Sequence, residues 1–459
     1  VIARLILAGF ALLLCAASPQ QRALLLASKP GPSLSCDFIA TPAVTAGTIA
    51  AGPKCPAITF TRADCNPTGA CATYFDAAGA LQTAATNVAR IGYDPVTHVS
   101  RGLLIEEART NSIRNSTMVG AVVGTPGTAP TNWGLIDGMA APVSGISAAI
   151  SGVGTETGIN YIDIHYTGTA SASASLFARA EASNQIPATV GQTVTHSGFV
   201  RLAAGSLGTA FLRQFSGERN AAGASLLFVF SPNLTVTGAS LAAQRQAFTS
   251  TMTQATAAFV LPALVVDVVN GGVYDFTIRW GLPQLEQGAF VTSAVPTTTA
   301  AATRAADVAS MPTGPWFNAA QGTLAVEYQV PQASIPALNP GPIEIDDGTT
   351  ANLIGVRQNT PNTTLISGYI ANASQGGMTF VTSWAANTPS RVGFTYNGTA
   401  ITTSINGAAT TGGSFSALPT GLTRVSFGTV RGGTINGTIS RVRYWNRAQA
   451  GGELQGNTR

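Results

Sequence analysis

Glu106 and Glu107 are adjacent carboxylates in a chain of which only 10% of the residues are charged. Two carboxyl groups flanking one bond can act as general acid and base, the chemistry of glycoside hydrolysis. The residues before them, Gly102-Leu-Leu-Ile-Glu106, read as extended chain, and neighbours on a strand project to opposite faces. A single strand therefore cannot hold both acids across one bond. An electrostatic role fits better, because Arg101 and Arg109 flank the pair and a carboxylate leaving water needs a cation. Arg101, Glu106, Glu107 and Arg109 are expected to form a structural charge cluster with no catalytic residue in it.

The three histidines, His98, His165 and His196, stand far apart and in no motif, and no G-x-S-x-G elbow presents a nucleophile. The expectation is no enzyme, no metal and no cofactor. Four of the five cysteines, Cys36, Cys55, Cys65 and Cys71, fall near one another, apart from Cys15. Cys65-Asn-Pro-Thr-Gly-Ala-Cys71 is a turn bracketed by two thiols, readily closed by a disulfide. Of the connectivities open to four cysteines, Cys36–Cys55 with Cys65–Cys71 is preferred. A four-cysteine zinc site is the rival, but the paired C-x2–4-C knuckles of such sites are missing. Disulfides imply an oxidising exterior.

These residues must be positioned by strands. The stretch Thr73–Asn111 gathers Asp76, Arg90, Asp94, Arg101, Glu106, Glu107 and Arg109. Its Asp-Ala-Ala-Gly and Asp-Pro turns predict a compact β-meander. Further on, Gly158–Tyr166, Val194–Leu202, Ser206–Phe215, Ser225–Phe230, Gln246–Phe259 and Gly272–Leu282 alternate at strand period. The pattern restarts after the Pro-rich Met311–Trp316 with Gly322–Val330 and runs to Gly437–Trp445. Tyr396-Asn-Gly-Thr399 is a hairpin turn along the way. The fold class expected is all-β: tandem antiparallel β-sandwich (jelly-roll) modules after a small β-meander N-terminal region.

Charge excludes one function class. A net charge of +4 over 459 residues, with no Lys/Arg cluster, does not suit phosphate-backbone binding, so no nucleic acid partner is expected. At the other extreme, residues 1–18, VIARLILAGFALLLCAAS, are apolar after Arg4. They fit a secretory signal peptide better than a spanning helix. An untranslated stretch from a miscalled start, or an apolar arm packing in an assembly, are the alternatives.

The strings TYFDAAGALQTA, ARIGYDPVT and RGLLIEEARTN of Thr73–Asn111 resemble a segment of bacteriophage tail-fibre and head-spike-fibre-like structural proteins. WGLPQLEQGAFVTSAVPTTTAAATRAADVAS, Trp280–Ser310, resembles a second segment of the same proteins. The inserted Cys65–Cys71 loop departs from that pattern. GTLAVEYQV, RVGFTYNGTAITTSINGAA and ISRVRYWNRAQAGGEL resemble the concanavalin A-like lectin/glucanase (laminin-G-like) sandwich, closed by a short helix at Gln449–Leu454. Glucanases of that fold carry Glu-x-Asp-x-x-Glu. Here Glu344, Asp346 and Asp347 come nearest, but Asp346-Asp347-Gly348 reads as a turn. With Asn352 it offers too few oxygens for calcium. The middle of the chain resembles the jelly-roll carbohydrate-binding modules of related fibre proteins.

The resemblance implies four regions: 1–18, the possible leader; 19–118, an attachment region with the meander and disulfides; 119–310, a carbohydrate-binding-module-like jelly roll; and 311–459, a lectin-like sandwich. It implies a virion-surface protein, a fibre or spike, that adheres to host or environmental glycans or a cell envelope. Its partners would include other virion proteins, and it would be a homo-oligomer, a trimer being one form. The alternative is a secreted, prophage-derived bacterial protein that binds or cleaves glycans. Sugar contact needs exposed aromatic rings with polar neighbours. Trp384, ending a strand beside Ala385-Ala-Asn387, is the leading carbohydrate-binding candidate, with Asn387 as its polar partner. Trp133, in a Thr-Asn-Trp-Gly loop, is the second. Trp280 and Trp445 lie in alternating strands and are expected in cores, and Trp316 at the module junction.

Overall fold

The computed structural model describes residues 31–65, 69, 71–332, 340–359, 363–381 and 384–459. The apolar run 1–18, with Cys15, lies outside the described residues. The rest is nearly all β, in antiparallel ladders that form two sandwiches. The closing helix spans Gly451–Asn457.

The central sandwich packs two five-stranded sheets. One sheet runs Ile146–Glu156, Ile159–Thr169, Val273–Gln287, Thr193–Ser206, Arg245–Thr251. The other runs Ala174–Arg179, Phe259–Val268, Phe211–Arg219, Ser225–Phe230, with Ile186–Pro187 at its side. Period-2 alternation sends Ile162, Ile164, Tyr166, Leu176, Leu212, Leu264, Val266, Ile278 and Trp280 into one core between them. Phe259–Val268 was not among the strands expected from periodicity. It is apolar on both faces and buried almost throughout, so it carries no alternation to read.

The second sandwich is larger, and the N-terminal region is part of it. Leu34–Asp37, Arg90–Tyr93 and Ser100–Ile105 join the sheet built on Gln321–Gln329 and Gly437–Trp445. Ala43–Thr45, Thr48–Ala50 and Ile58–Thr61 continue the opposing sheet through Val308–Pro312. Phe38, Phe60, Leu103 and Ile105 lie in the same core as Tyr328, Trp384, Val442 and Tyr444. The compact meander expected over Thr73–Asn111 divides between the two sandwiches. Ala72–Phe75 and Leu81–Ala84 pair as a hairpin that leans on the central sandwich, where Leu81 N–H donates to the Thr157 carbonyl (2.8 Å). The strands from Arg90 to Ile105 extend the C-terminal sheet instead. Strand edges seek partners, and the partner here lies hundreds of residues away in sequence.

Two disulfides hold this arrangement, Cys36–Cys55 and Cys65–Cys71, with Cα–Cα distances of 4.8 and 5.9 Å. The preferred connectivity is the one present, and four bonded sulfurs leave no thiolate for zinc.

The seam between the sandwiches is ionic. Arg62, Arg90, Arg304, Glu106 and Asp307 are all buried there. Arg90 pairs with Glu106 (2.7 Å) and with Asp307. Arg62 also reaches Asp307 (3.0 Å) and Arg304 reaches Glu106 (3.2 Å). Ser293 closes the set, its N–H and hydroxyl donating to the two Glu106 oxygens (2.7 and 2.6 Å). Burial alone would raise the Glu106 pKa, but Arg304 and Arg90 hold it down at about 2. Outside the cluster, Glu107 pairs with Arg109 (2.6 Å) and Arg101 with Asp94 (2.5 Å). Of the four residues expected to cluster, Glu106 lies in the buried set, and Glu107 and Arg109 pair with each other outside it. Arg101 serves the Asp94 turn.

Two outcomes test this frame. Iodoacetamide applied to the denatured, unreduced protein should label none of the four cysteines. Labelling without reductant would contradict the pairing. Glu106→Gln should cost about 3–5 kcal/mol in denaturant unfolding, because it strands buried guanidinium charge. A change below about 1 kcal/mol would show that the cluster is not structural.

Candidate functional site

Trp384 is only 1% exposed and packs against Tyr328, ring centroids 5.2 Å apart. It cannot stack on a sugar from solvent, so the leading candidate is withdrawn. The strand end that suggested a loop turns inward because the ring fills the large sandwich core. Asn387 is exposed, with φ of +54°. It is not a partner of Trp384 but borders a cavity between the two sandwiches. Trp133 is half-buried, 4.9 Å from Trp280, and its Nε1–H donates to the Asn115 carbonyl (2.8 Å). Both sides of that indole serve the central core. Trp280 and Trp445 are buried, and Trp316 packs on Tyr444 at 5.3 Å.

The cavity between the sandwiches has a volume of about 580 Å³ and is lined by Tyr74, Tyr93, Phe199, Arg245 and Glu106, among others. Its one buried acid is Glu106. A carboxyl held ionised down to about pH 2 has no proton to give at neutral pH, and its oxygens are already bonded. Glu106 is therefore not poised to act as a general acid. Glu344, in the strand Ile343–Asp346, is shifted in the opposite direction. Burial pushes its pKa up to about 8, with Asp346 adding to the rise, while the Arg431 N–H (3.0 Å) opposes it. It is 3% exposed, so no substrate reaches it. Asp346 accepts the Gly348 N–H (2.7 Å) at the expected turn. It is buried, bonded to Arg424 (2.8 Å) and Ser426 (2.7 Å). Asp347 shares the turn, through Thr349 and Asn352. Among the described residues no group of three or more His, Cys, Asp or Glu is placed to hold a metal.

The site that sequence reasoning missed lies on the outer face of the second central sheet. Register puts Arg179, Ala263, Phe215 and Phe230 in one row across it. Phe177, Val265 and Arg213 form the next row, and Leu261, Gly217 and Phe228 a third. Four rings gather here: Phe215 lies 5.0 Å from Phe177, 5.2 Å from Phe230 and 5.4 Å from Phe228. Gly217 permits this, since a Cβ there would stand 2.5 Å from the Phe215 ring. Phe215 is fully buried beneath the others, while Phe228 is 53% exposed. Guanidiniums edge the platform: Arg213 over Phe230 (3.9 Å), Arg179 over Phe177 (5.2 Å) and Arg219 over Phe228 (5.8 Å). The signal was present in FVLPALVVDV and SLLFVF. A strand apolar on both faces in a sandwich must present one of them outward.

No family model and no curated protein matches the chain. Among solved structures, part of it is similar to the CBM40 of Ruminococcus gnavus IT-sialidase bound to alpha2,3 sialyllactose. The identity is 12%, over 31% of this chain and 84% of that one, with a TM-score of 0.26. Domain 4 of AbnA, a GH43 extracellular arabinanase from Geobacillus stearothermophilus in complex with arabinotriose, shares 13% identity over 34% of this chain and 73% of that one. Its TM-score is 0.28. The galectin LEC-6 of Caenorhabditis elegans shares 13% over 29% and 88%, with a TM-score of 0.22. At such TM-scores nothing about activity follows from the likeness.

Glu344 generates a pH test. Its folded pKa is raised above its unfolded value, so the stability it contributes is complete below about pH 4.5 and lost as pH rises through about 8. Glu344→Gln, which keeps an acceptor for Arg431, should therefore raise Tm relative to the parent at pH 8.5. The gain should vanish near pH 4.5. A Tm difference that does not vary with pH would contradict a buried, protonated Glu344.

Proposed function

We propose that the chain is a non-enzymatic glycan-binding protein, and that its saccharide lies on the Phe177–Phe215–Phe228–Phe230 platform. The observation that carries the reading is the exposed Phe228 ring beside half-buried Phe177 and Phe230 on a sheet face, backed by buried Phe215 and edged by guanidiniums. C–H groups on a pyranose face pack against such rings, and guanidiniums donate to hydroxyl or acidic oxygens in a fixed geometry. The reading replaces Trp384, Asn387 and Trp133 as contact residues and moves recognition from the C-terminal to the central sandwich.

We further propose that the protein works on the exterior of a phage particle, as a fibre or spike component with other virion proteins beside it. Support comes from the two segments resembling fibre proteins and from the disulfides, which suit an oxidising exterior. Display in several copies, as a homo-oligomer, would raise a weak single-site affinity through effective concentration.

Phe228→Ala tests the reading. Because the ring is half exposed, Tm should hold while affinity for an oligosaccharide such as galactotetraose falls at least tenfold in titration calorimetry. Unchanged binding with Phe228 removed would place the contact elsewhere.

A further inference from the structure

Beside the aromatic platform, a groove of about 430 Å³ is lined by Gly134, Leu135, Arg179, Glu181, Ser183 and Arg219. Its charges are unevenly satisfied. Glu181 is fully buried and its carboxylate faces Arg114, with contacts from Nε and Nη2 of 2.8–3.1 Å. It also accepts the Arg114 backbone N–H (2.6 Å). Arg179 is held by Asp137 (2.9 Å). On the same face Arg213 grips Asp267 with two bonds of 2.7 Å. Arg219 differs from all of these. Among the described residues no carboxylate pairs with it, and its Nε is buried without a hydrogen-bond partner. Only the Phe228 ring, 5.8 Å away, stands over its guanidinium.

We propose that this groove takes the acidic substituent, a carboxylate or sulfate, of an anionic saccharide whose ring lies on the phenylalanine platform. The inference rests on the glycan-binding reading above and deepens it to a ligand class. Three features converge. Arg219 presents unpaired donors in the planar fork that matches an oxyanion. Arg179 lines the same groove, so the site carries two guanidiniums while its own carboxylate is turned inward. Both arginines also touch the platform rings, Arg179 at Phe177 and Arg219 at Phe228, so a pyranose on the rings puts an exocyclic acid within their reach. Burial, and then the like charge of Arg179, lower the Arg219 pKa. An anion in the groove relieves both penalties. Leu135, 56% exposed at the rim, offers apolar contact to the rest of the ligand.

The test compares tetragalacturonate, a heparin tetrasaccharide and neutral galactotetraose on the full chain, by titration calorimetry at low and moderate salt. The parent should bind one acidic ligand at least tenfold more tightly than the neutral one, a preference that shrinks with salt. Which acid wins identifies carboxylate or sulfate as the group bound. Arg219→Gln should bring acidic and neutral affinities together at unchanged Tm, and Arg219→Lys should restore part of the preference. If the parent shows no acid preference, or Arg219→Gln keeps it, the groove inference falls. The platform reading survives that result provided Phe228→Ala still lowers affinity at least tenfold. If no saccharide binds at all, both fall.

Discussion

A buried set of arginines and carboxylates, beside an apolar cluster of Leu81, Phe75, Ile159 and Phe199, holds the seam between the two sandwiches. Asp307 receives Arg62 and Arg90, and Glu106 receives Arg90 and Arg304, all with almost no exposure. Such groups gain little over apolar packing when complete, yet they are costly when any member is lost. They also demand one geometry, because each carboxylate oxygen is already committed. Thr73 donating to the Ala294 carbonyl (2.6 Å) and Asn111 donating to the Val295 carbonyl (3.0 Å) repeat the same seam along its length.

That constraint ties two separated stretches of the chain together. Arg90 and Glu106 come from Thr73–Asn111, while Ser293, Arg304 and Asp307 come from Trp280–Ser310. The structure brings them into one cluster, and Arg109–Asn111 pairs with Ala302–Arg304 as a small sheet beside it. The cross-pairs Arg90–Asp307 and Arg304–Glu106 join the two stretches.

What was legible in the sequence follows the range of the interaction. All-β character, the Asn-Gly hairpin, the short terminal helix and the Cys65–Cys71 loop depend on neighbours in sequence and could be read there. The burial of Trp280 followed from alternation. The joining of Leu34–Asp37 to Gly437–Trp445 depends on an edge far along the chain, which no local pattern encodes. The burial of Trp384 depends on Tyr328 across the core. The aromatic platform was hidden for a different reason. A strand apolar on both faces reads as simply buried, and only register shows that Phe177, Phe215, Phe228 and Phe230 share an outward face.

The central claim is that recognition happens on that face. Hydrogen–deuterium exchange on the whole chain, with and without saturating tetragalacturonate, tests it most directly. Ligand should slow exchange in Phe211–Arg219, Ser225–Phe230 and Ala174–Arg179, leaving the cavity strands Arg90–Tyr93 and Ala72–Phe75 unchanged. Protection at the cavity between the sandwiches, or in the C-terminal sheet around Asn387, with none at Ser225–Phe230, would contradict the account.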